Sequence, residues 1–186
     1  FKAINGSSQC IECAAGTYLG VNGSGTCVDC PVGKYLNETA GSVCMACPAN
    51  TVSPNRSNDI TDCRCDLGFT GNDGTACLAC ELGTYKNMNG SSLCEVCASG
   101  SYLNVTAGSV CVGCPANTVS PEKSDDNTDC ICDLGFTGSD GTACRACDVG
   151  TYKGVNGSSL CEVCVSGSYL NVTAGTVCVT LSLIHI

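Results

Sequence analysis

Apolar residues in this chain never recur at helical spacing. They come in short alternations such as Ser101-Tyr102-Leu103-Asn104-Val105, a period that predicts strands of two to four residues paired in hairpins. Turn formers stand every few residues between them and predict loop elsewhere. Each alternation follows one cue. Three residues past a cysteine stands a glycine (Gly16, Gly33, Gly68, Gly83, Gly100, Gly135, Gly150, Gly167) or an asparagine (Asn50, Asn117). These residue types accept a positive φ most readily, so a left-handed position shaping a tight turn is predicted there. An aromatic usually follows within two residues: Tyr18, Tyr35, Phe69, Tyr85, Tyr102, Phe136, Tyr152 or Tyr169. It is expected to cover a disulfide and serve as its unit's small core.

The cue is periodic. Cysteines recur with an offset of 67 residues, pairing Cys27 with Cys94, Cys44 with Cys111, Cys63 with Cys130 and Cys77 with Cys144. Fixed-period self-similarity marks a repeat architecture. The units expected are a partial incoming repeat at 1–9, a first repeat at 10–76, a second at 77–143 and a partial third at 144–180. The fold class predicted is small and disulfide-rich, an elongated tandem array of short β-hairpin and loop modules with almost no helix.

Composition explains why cysteines dominate. The 186 residues include 21 cysteines, no Trp, three Phe and six Tyr. A large hydrophobic core is therefore not expected, and covalent cross-links must supply what burial cannot. No apolar run approaches the ~20 residues of a membrane helix. With 17 acidic and 8 basic residues the formal charge is −9. Nucleic acid rewards clustered cations, so it is not an expected partner. The densest acidic group, Asp125, Asp126 and Asp129, lacks the alternating ligands and closing Glu of a calcium loop. It reads as solvating charge.

Connectivity does not follow from sequence alone. One scheme closes each long loop on itself: Cys13 to Cys27, Cys30 to Cys44, Cys47 to Cys63, Cys65 to Cys77, Cys80 to Cys94, Cys97 to Cys111, Cys114 to Cys130, Cys132 to Cys144, Cys147 to Cys161 and Cys164 to Cys178. It leaves Cys10 unpaired here, to bond upstream. It also accounts for the odd count, since a strict repeat would place a further cysteine at position 181. The rival scheme links successive Cys-x-x-Cys pairs crosswise, Cys10 to Cys27 and Cys13 to Cys30.

Cys47-Pro48-Ala49-Asn50-Thr51-Val52-Ser53-Pro54 runs on to Cys63-Arg64-Cys65-Asp66-Leu67-Gly68-Phe69, and Cys114 to Phe136 repeats it. This pattern resembles the cysteine-rich segment of ephrin-receptor ectodomains. Cys65 to Cys77 is also similar to the second half of an EGF module, and the 17-residue units to the first loop of tumour-necrosis-factor-receptor repeats. The resemblance implies an extracellular module class. No kinase, ephrin-binding domain or transmembrane helix accompanies it, and the entry motif of calcium-binding EGF modules is missing.

The repeated Cys-x-x-Cys also fits a zinc ribbon in isolation. The units run on without separating into four-ligand sets, and Cys63-Arg64-Cys65 and Cys130-Ile131-Cys132 break the spacing. Eight of the fourteen asparagines (Asn5, Asn22, Asn37, Asn55, Asn89, Asn104, Asn156 and Asn171) begin Asn-x-Ser/Thr, candidates for N-glycosylation. Sequons and disulfides both belong to the secretory pathway. No cofactor is expected. A redox Cys-x-x-Cys needs a helix start to lower a thiol's pKa, and none is predicted. The one histidine, His185, stands in Leu181-Ser182-Leu183-Ile184-His185-Ile186, which resembles a translated sequencing-adapter scar. Phe1 to Cys10 matches the second half of a unit, Tyr85 to Cys94, so more array is expected upstream.

The expected role is a non-enzymatic structural or adhesive spacer within a larger secreted or cell-surface protein. The alternative is a ligand-binding ectodomain segment of a receptor. Partners would be extracellular protein or matrix, with the membrane reached only through an anchor elsewhere in the parent protein. Residues 80–112 and 147–179 differ at only six of thirty-three positions, and such near-identity favours the spacer.

Overall fold

The computed structural model describes residues 12–20 and 26–181. Cys10, Asn5, Asn22 and His185 lie outside the described residues. The chain forms two compact units, the first holding 12–20, 26–80 and 86–94, the second 81–85 and 95–181.

The first unit is four antiparallel hairpins. Thr17–Leu19 pairs Cys27–Asp29, Lys34–Tyr35 pairs Met45–Ala46, Thr51–Val52 pairs Arg64–Cys65, and Phe69–Thr70 pairs Leu78–Ala79. One 3-10 turn, Ile60–Asp62, stands before the third return strand.

The second unit holds six. Thr84–Tyr85 pairs Glu95–Val96, Ser101–Tyr102 pairs Val112–Gly113, Thr118–Val119 pairs Ile131–Cys132, Phe136–Thr137 pairs Arg145–Ala146, Thr151–Tyr152 pairs Glu162–Val163, and Ser168–Tyr169 pairs Val179–Thr180. Its 3-10 turn is Asn127–Asp129. Helix is otherwise absent among the described residues. The fold is small, disulfide-rich and nearly helix-free.

A lone two-stranded hairpin is marginal in water, so each one here is closed by sulfur. The first unit bonds Cys13 to Cys27, Cys30 to Cys44, Cys47 to Cys63, Cys65 to Cys77 and Cys80 to Cys94. The second bonds Cys97 to Cys111, Cys114 to Cys130, Cys132 to Cys144, Cys147 to Cys161 and Cys164 to Cys178. Cα separations of 5.5 Å at Cys13–Cys27 and 5.8 Å at Cys80–Cys94 suit the bond. Closing a loop of this length contributes roughly 3 kcal/mol by restricting the unfolded chain.

The small cores meet the expectation in part: Tyr18 packs against the Cys30–Cys44 bridge and Tyr35 is buried, but the aromatic is not the main filling. The best-buried apolar side chain beside the sulfurs is the leucine after the tyrosine: Leu36 at 4%, Leu103 at 4% and Leu170 at 8% exposure. Leu36 packs on the Cys30–Cys44 bridge with Tyr18 alongside. Of the tyrosines only Tyr35 is buried, and Tyr169 is 45% exposed. Adjacent residues in extended chain face opposite ways, so the leucine takes the inward position where the tyrosine leans outward.

Candidate functional site

The features repeated most faithfully are the joints between loops. Every Gly or Asn three residues past a loop-opening cysteine has positive φ, from 60° at Asn50 to 84° at Gly167. The turn this makes aims two backbone groups at neighbouring loops. Gly16 N–H donates to Leu36 O (2.8 Å), and Gly16 O accepts from Cys30 N (2.9 Å). The same two bonds recur at Gly33, Gly68, Gly83, Gly100, Gly135 and Gly150. At Asn50 and Asn117 the side-chain amide donates instead, to Cys77 O (2.8 Å) and Cys144 O (2.7 Å).

A second set of bonds reaches further. The carbonyl of the loop-opening cysteine accepts an N–H from within the next loop: Ala40 N to Cys13 O (2.7 Å), Arg56 N to Cys30 O (2.8 Å), Lys123 N to Cys97 O (2.9 Å). Hydroxyls lock the turns locally. Thr17 donates to Ala14 O (2.7 Å), Thr84 to Glu81 O (2.7 Å) and Thr118 to Pro115 O (2.6 Å).

Two joints carry a lysine where others carry leucine. Lys86 and Lys153 are each only 2% exposed. Lys86 Nζ donates to Phe69 O at 2.8 Å and Gly90 O at 2.6 Å. Lys153 Nζ donates to Phe136 O at 2.8 Å and also to Gly157 O. Burial pushes both ammonium groups below the usual lysine range. Asp73 and Asp66 pull Lys86 back up, and Asp140 and Asp133 do so for Lys153. Nothing in the sequence reading singled these lysines out. The available signal was their substitution for leucine after a repeated tyrosine.

The acidic residues have local work. Asp126 and Asp129 form a capping box on the second 3-10 turn. Asp126 accepts from the backbone and hydroxyl of Thr128, which lowers its pKa. Asp59 does the same with Thr61, the side-chain bond leading. Across two hairpins a tyrosine faces a glutamate in register. Tyr85 donates to Glu95 at 2.9 Å and Tyr152 to Glu162 at 2.8 Å, raising both phenol pKa values. Among the described residues no three His, Cys, Asp or Glu side chains converge on a point that would hold an ion. No described helix is long and apolar enough to cross a membrane.

The sequon asparagines Asn37, Asn55, Asn89, Asn104, Asn156 and Asn171 are all exposed. Five of these sequons also expose their hydroxyl residue. In the sixth, Ser57 is buried and donates to Pro54 O at 2.9 Å.

Disulfide-closed hairpins joined by the same backbone bonds define a cysteine-rich repeat protein. A family profile described as tyrosine-protein kinase ephrin type A/B receptor-like matches residues 1–35, 16–63 and 68–110, more than half of the chain. The chain belongs to this ephrin-receptor-like family of cysteine-rich repeats. No curated protein matches it. Ten disulfides and membership of this family point to an extracellular setting.

Proposed function

We propose that this chain is a non-catalytic structural spacer or adhesive array within a larger secreted or cell-surface protein. The observation that carries the reading is the sameness of the joints. The glycine turn, its two backbone bonds and the closing disulfide recur from loop to loop, tying each loop to those that follow it along the chain. Parts built this way add length without adding a special point, as repeat arrays do. On this reading the 67-residue repeat is the working unit, and the exposed sequons carry sugars that shield it.

One observation favours a second reading, a receptor segment that binds an extracellular protein or matrix component. A surface groove in the first unit is lined by Val32, Val52, Ser53, Pro54, Arg64 and Asn89. One repeat later Val32 is replaced by Ser99 and Arg64 by Ile131, so the units are not alike everywhere.

Repeat exchange separates the two. Residues 147–179 are grafted in place of 80–112, and separately 97–131 in place of 30–64, in the displayed full chain. A spacer keeps its adhesion and its reach in both exchanges and gains reach with added repeats. Loss of binding to a captured partner on one exchange alone would overturn the spacer.

A further inference from the structure

The groove at Val32, Val52, Ser53, Pro54, Arg64 and Asn89 contains its own candidate occupant. Asn89 begins the sequon Asn89-Gly90-Ser91, and both Asn89 and Ser91 are exposed. The residue between them is fixed at both ends of its backbone. Gly90 N–H donates to Cys65 O at 2.8 Å, and Gly90 O accepts from the buried Lys86 ammonium at 2.6 Å. A sugar attached at Asn89 therefore leaves from a pinned stretch of chain.

We infer that the first sugars of an N-linked glycan on Asn89 lie in this groove and brace residues 86–94 against the loops at 30–44 and 47–63. The inference rests on the secretory reading, because sequons are used only there. In the attachment step the Asn89 amide nitrogen attacks the anomeric carbon of an oligosaccharide carried on a lipid diphosphate. The C–N bond forms, the C–O bond to diphosphate breaks, and the amide loses one proton. The groove suits the product. An N-acetylhexosamine presents C–H faces and a methyl group, which match Val32, Val52 and Pro54. Its acetamide and hydroxyl oxygens accept hydrogen bonds, which the exposed Arg64 guanidinium can donate.

The same arrangement one repeat further along the chain supplies an internal control. Asn156 begins the same sequon, and Gly157 is pinned the same way by Cys132 O and Lys153. The residues one repeat on from the groove wall are Ser99, Val119, Pro121 and Ile131. Asn156 thus shares the anchor and lacks the arginine and one valine.

The test is native deglycosylation of the full chain secreted from a glycosylating eukaryotic cell. Peptide-N-glycanase release is followed site by site with mass spectrometry in heavy-oxygen water. Asn89 should release about tenfold more slowly than Asn156, as a contact worth about 1.4 kcal/mol would give, and equally fast once the protein is reduced and denatured. Arg64→Ile places the second repeat's own residue there, and it should bring Asn89 to the Asn156 rate. Asn55→Gln removes the neighbouring glycan and should leave the difference intact. Equal native rates at Asn89 and Asn156, or an Arg64→Ile chain that keeps the difference, would overturn the bracing glycan alone. Sequons that are all bare would overturn it together with the secretory reading.

Discussion

The ammonium of Lys86 sits 2.8 Å from the carbonyl oxygen of Phe69, seventeen residues earlier in the chain. Its side chain lies where Leu36, Leu103 and Leu170 are buried at other joints, and its charge is directed at backbone carbonyls. The Cys65–Cys77 hairpin just before it, like Cys132–Cys144 before Lys153, is the short-loop type, with a sequence separation of 12.

Lys86→Leu would therefore fail to behave like the leucine it imitates. It leaves Phe69 O and Gly90 O without their donor, and an orphaned buried acceptor costs about 1–3 kcal/mol. Chemical denaturation with disulfides intact should show that loss. Hydrogen exchange should quicken at the Gly90 amide, whose partner is Cys65 O. A Lys86→Leu chain as stable as the parent would contradict the assignment.

Gly83 tests the joint itself. Its φ is 69°, and a Cβ there would meet the carbonyl of Lys123, with the Lys123 carbonyl carbon only 2.9 Å away. A left-handed L-residue alone costs about 1–2 kcal/mol, and the collision with backbone adds to it. Gly83→Ala should lower the melting temperature and the yield of correctly paired protein. Gly100 has φ of 80° and open space at the same position. Gly100→Ala should thus lose the smaller amount, and equal losses would remove the contact from the explanation.

Tyr85 and Tyr152 give a pH signature. The hydrogen bond from each phenol to Glu95 or Glu162, then the carboxylate's charge, raises the folded pKa. A raised folded pKa means stability fully present below the unfolded tyrosine value of about 10, and lost as pH rises through the folded one. Glu95→Gln should bring the Tyr85 ionisation, followed by ultraviolet absorbance, to lower pH. An unmoved titration would deny the bond.

Asp126 works in the opposite direction. Bonds from the Thr128 backbone and hydroxyl lower its folded pKa. Its contribution is present above the unfolded carboxylate value of about 3.9 and is lost as pH falls through the folded one. Thr128→Val removes the hydroxyl bond and should raise the pH at which the Asp126 carboxyl protonates, read by carbon-detected NMR. No change would mean the hydroxyl does not hold it.

The parts of this fold visible in the sequence were those fixed by a residue's own chemistry. Left-handed turns at Gly83 and Asn117 followed from which residue types tolerate positive φ. Two-residue strands such as Ser101–Tyr102 followed from alternation and turn spacing. The parts that depend on a partner several loops away were not visible. Lys86 reads as a surface cation until the carbonyls of Phe69 and Gly90 are seen to face it. Leu36 was overshadowed by its aromatic neighbour, because nothing local says which of two adjacent residues turns inward. Asp126 read as solvating charge, although the Asp-x-x-Asp spacing of Asp126 and Asp129 already carried a capping-box signal.

Disulfide mapping of the secreted chain, by mass spectrometry without reduction, tests the central claim most directly. Loops closed one by one give peptides linking Cys13 to Cys27, Cys30 to Cys44 and Cys47 to Cys63, with no free thiol among the twenty paired cysteines. Peptides linking Cys13 to Cys30, or free thiols at Cys27 and Cys44, would contradict it.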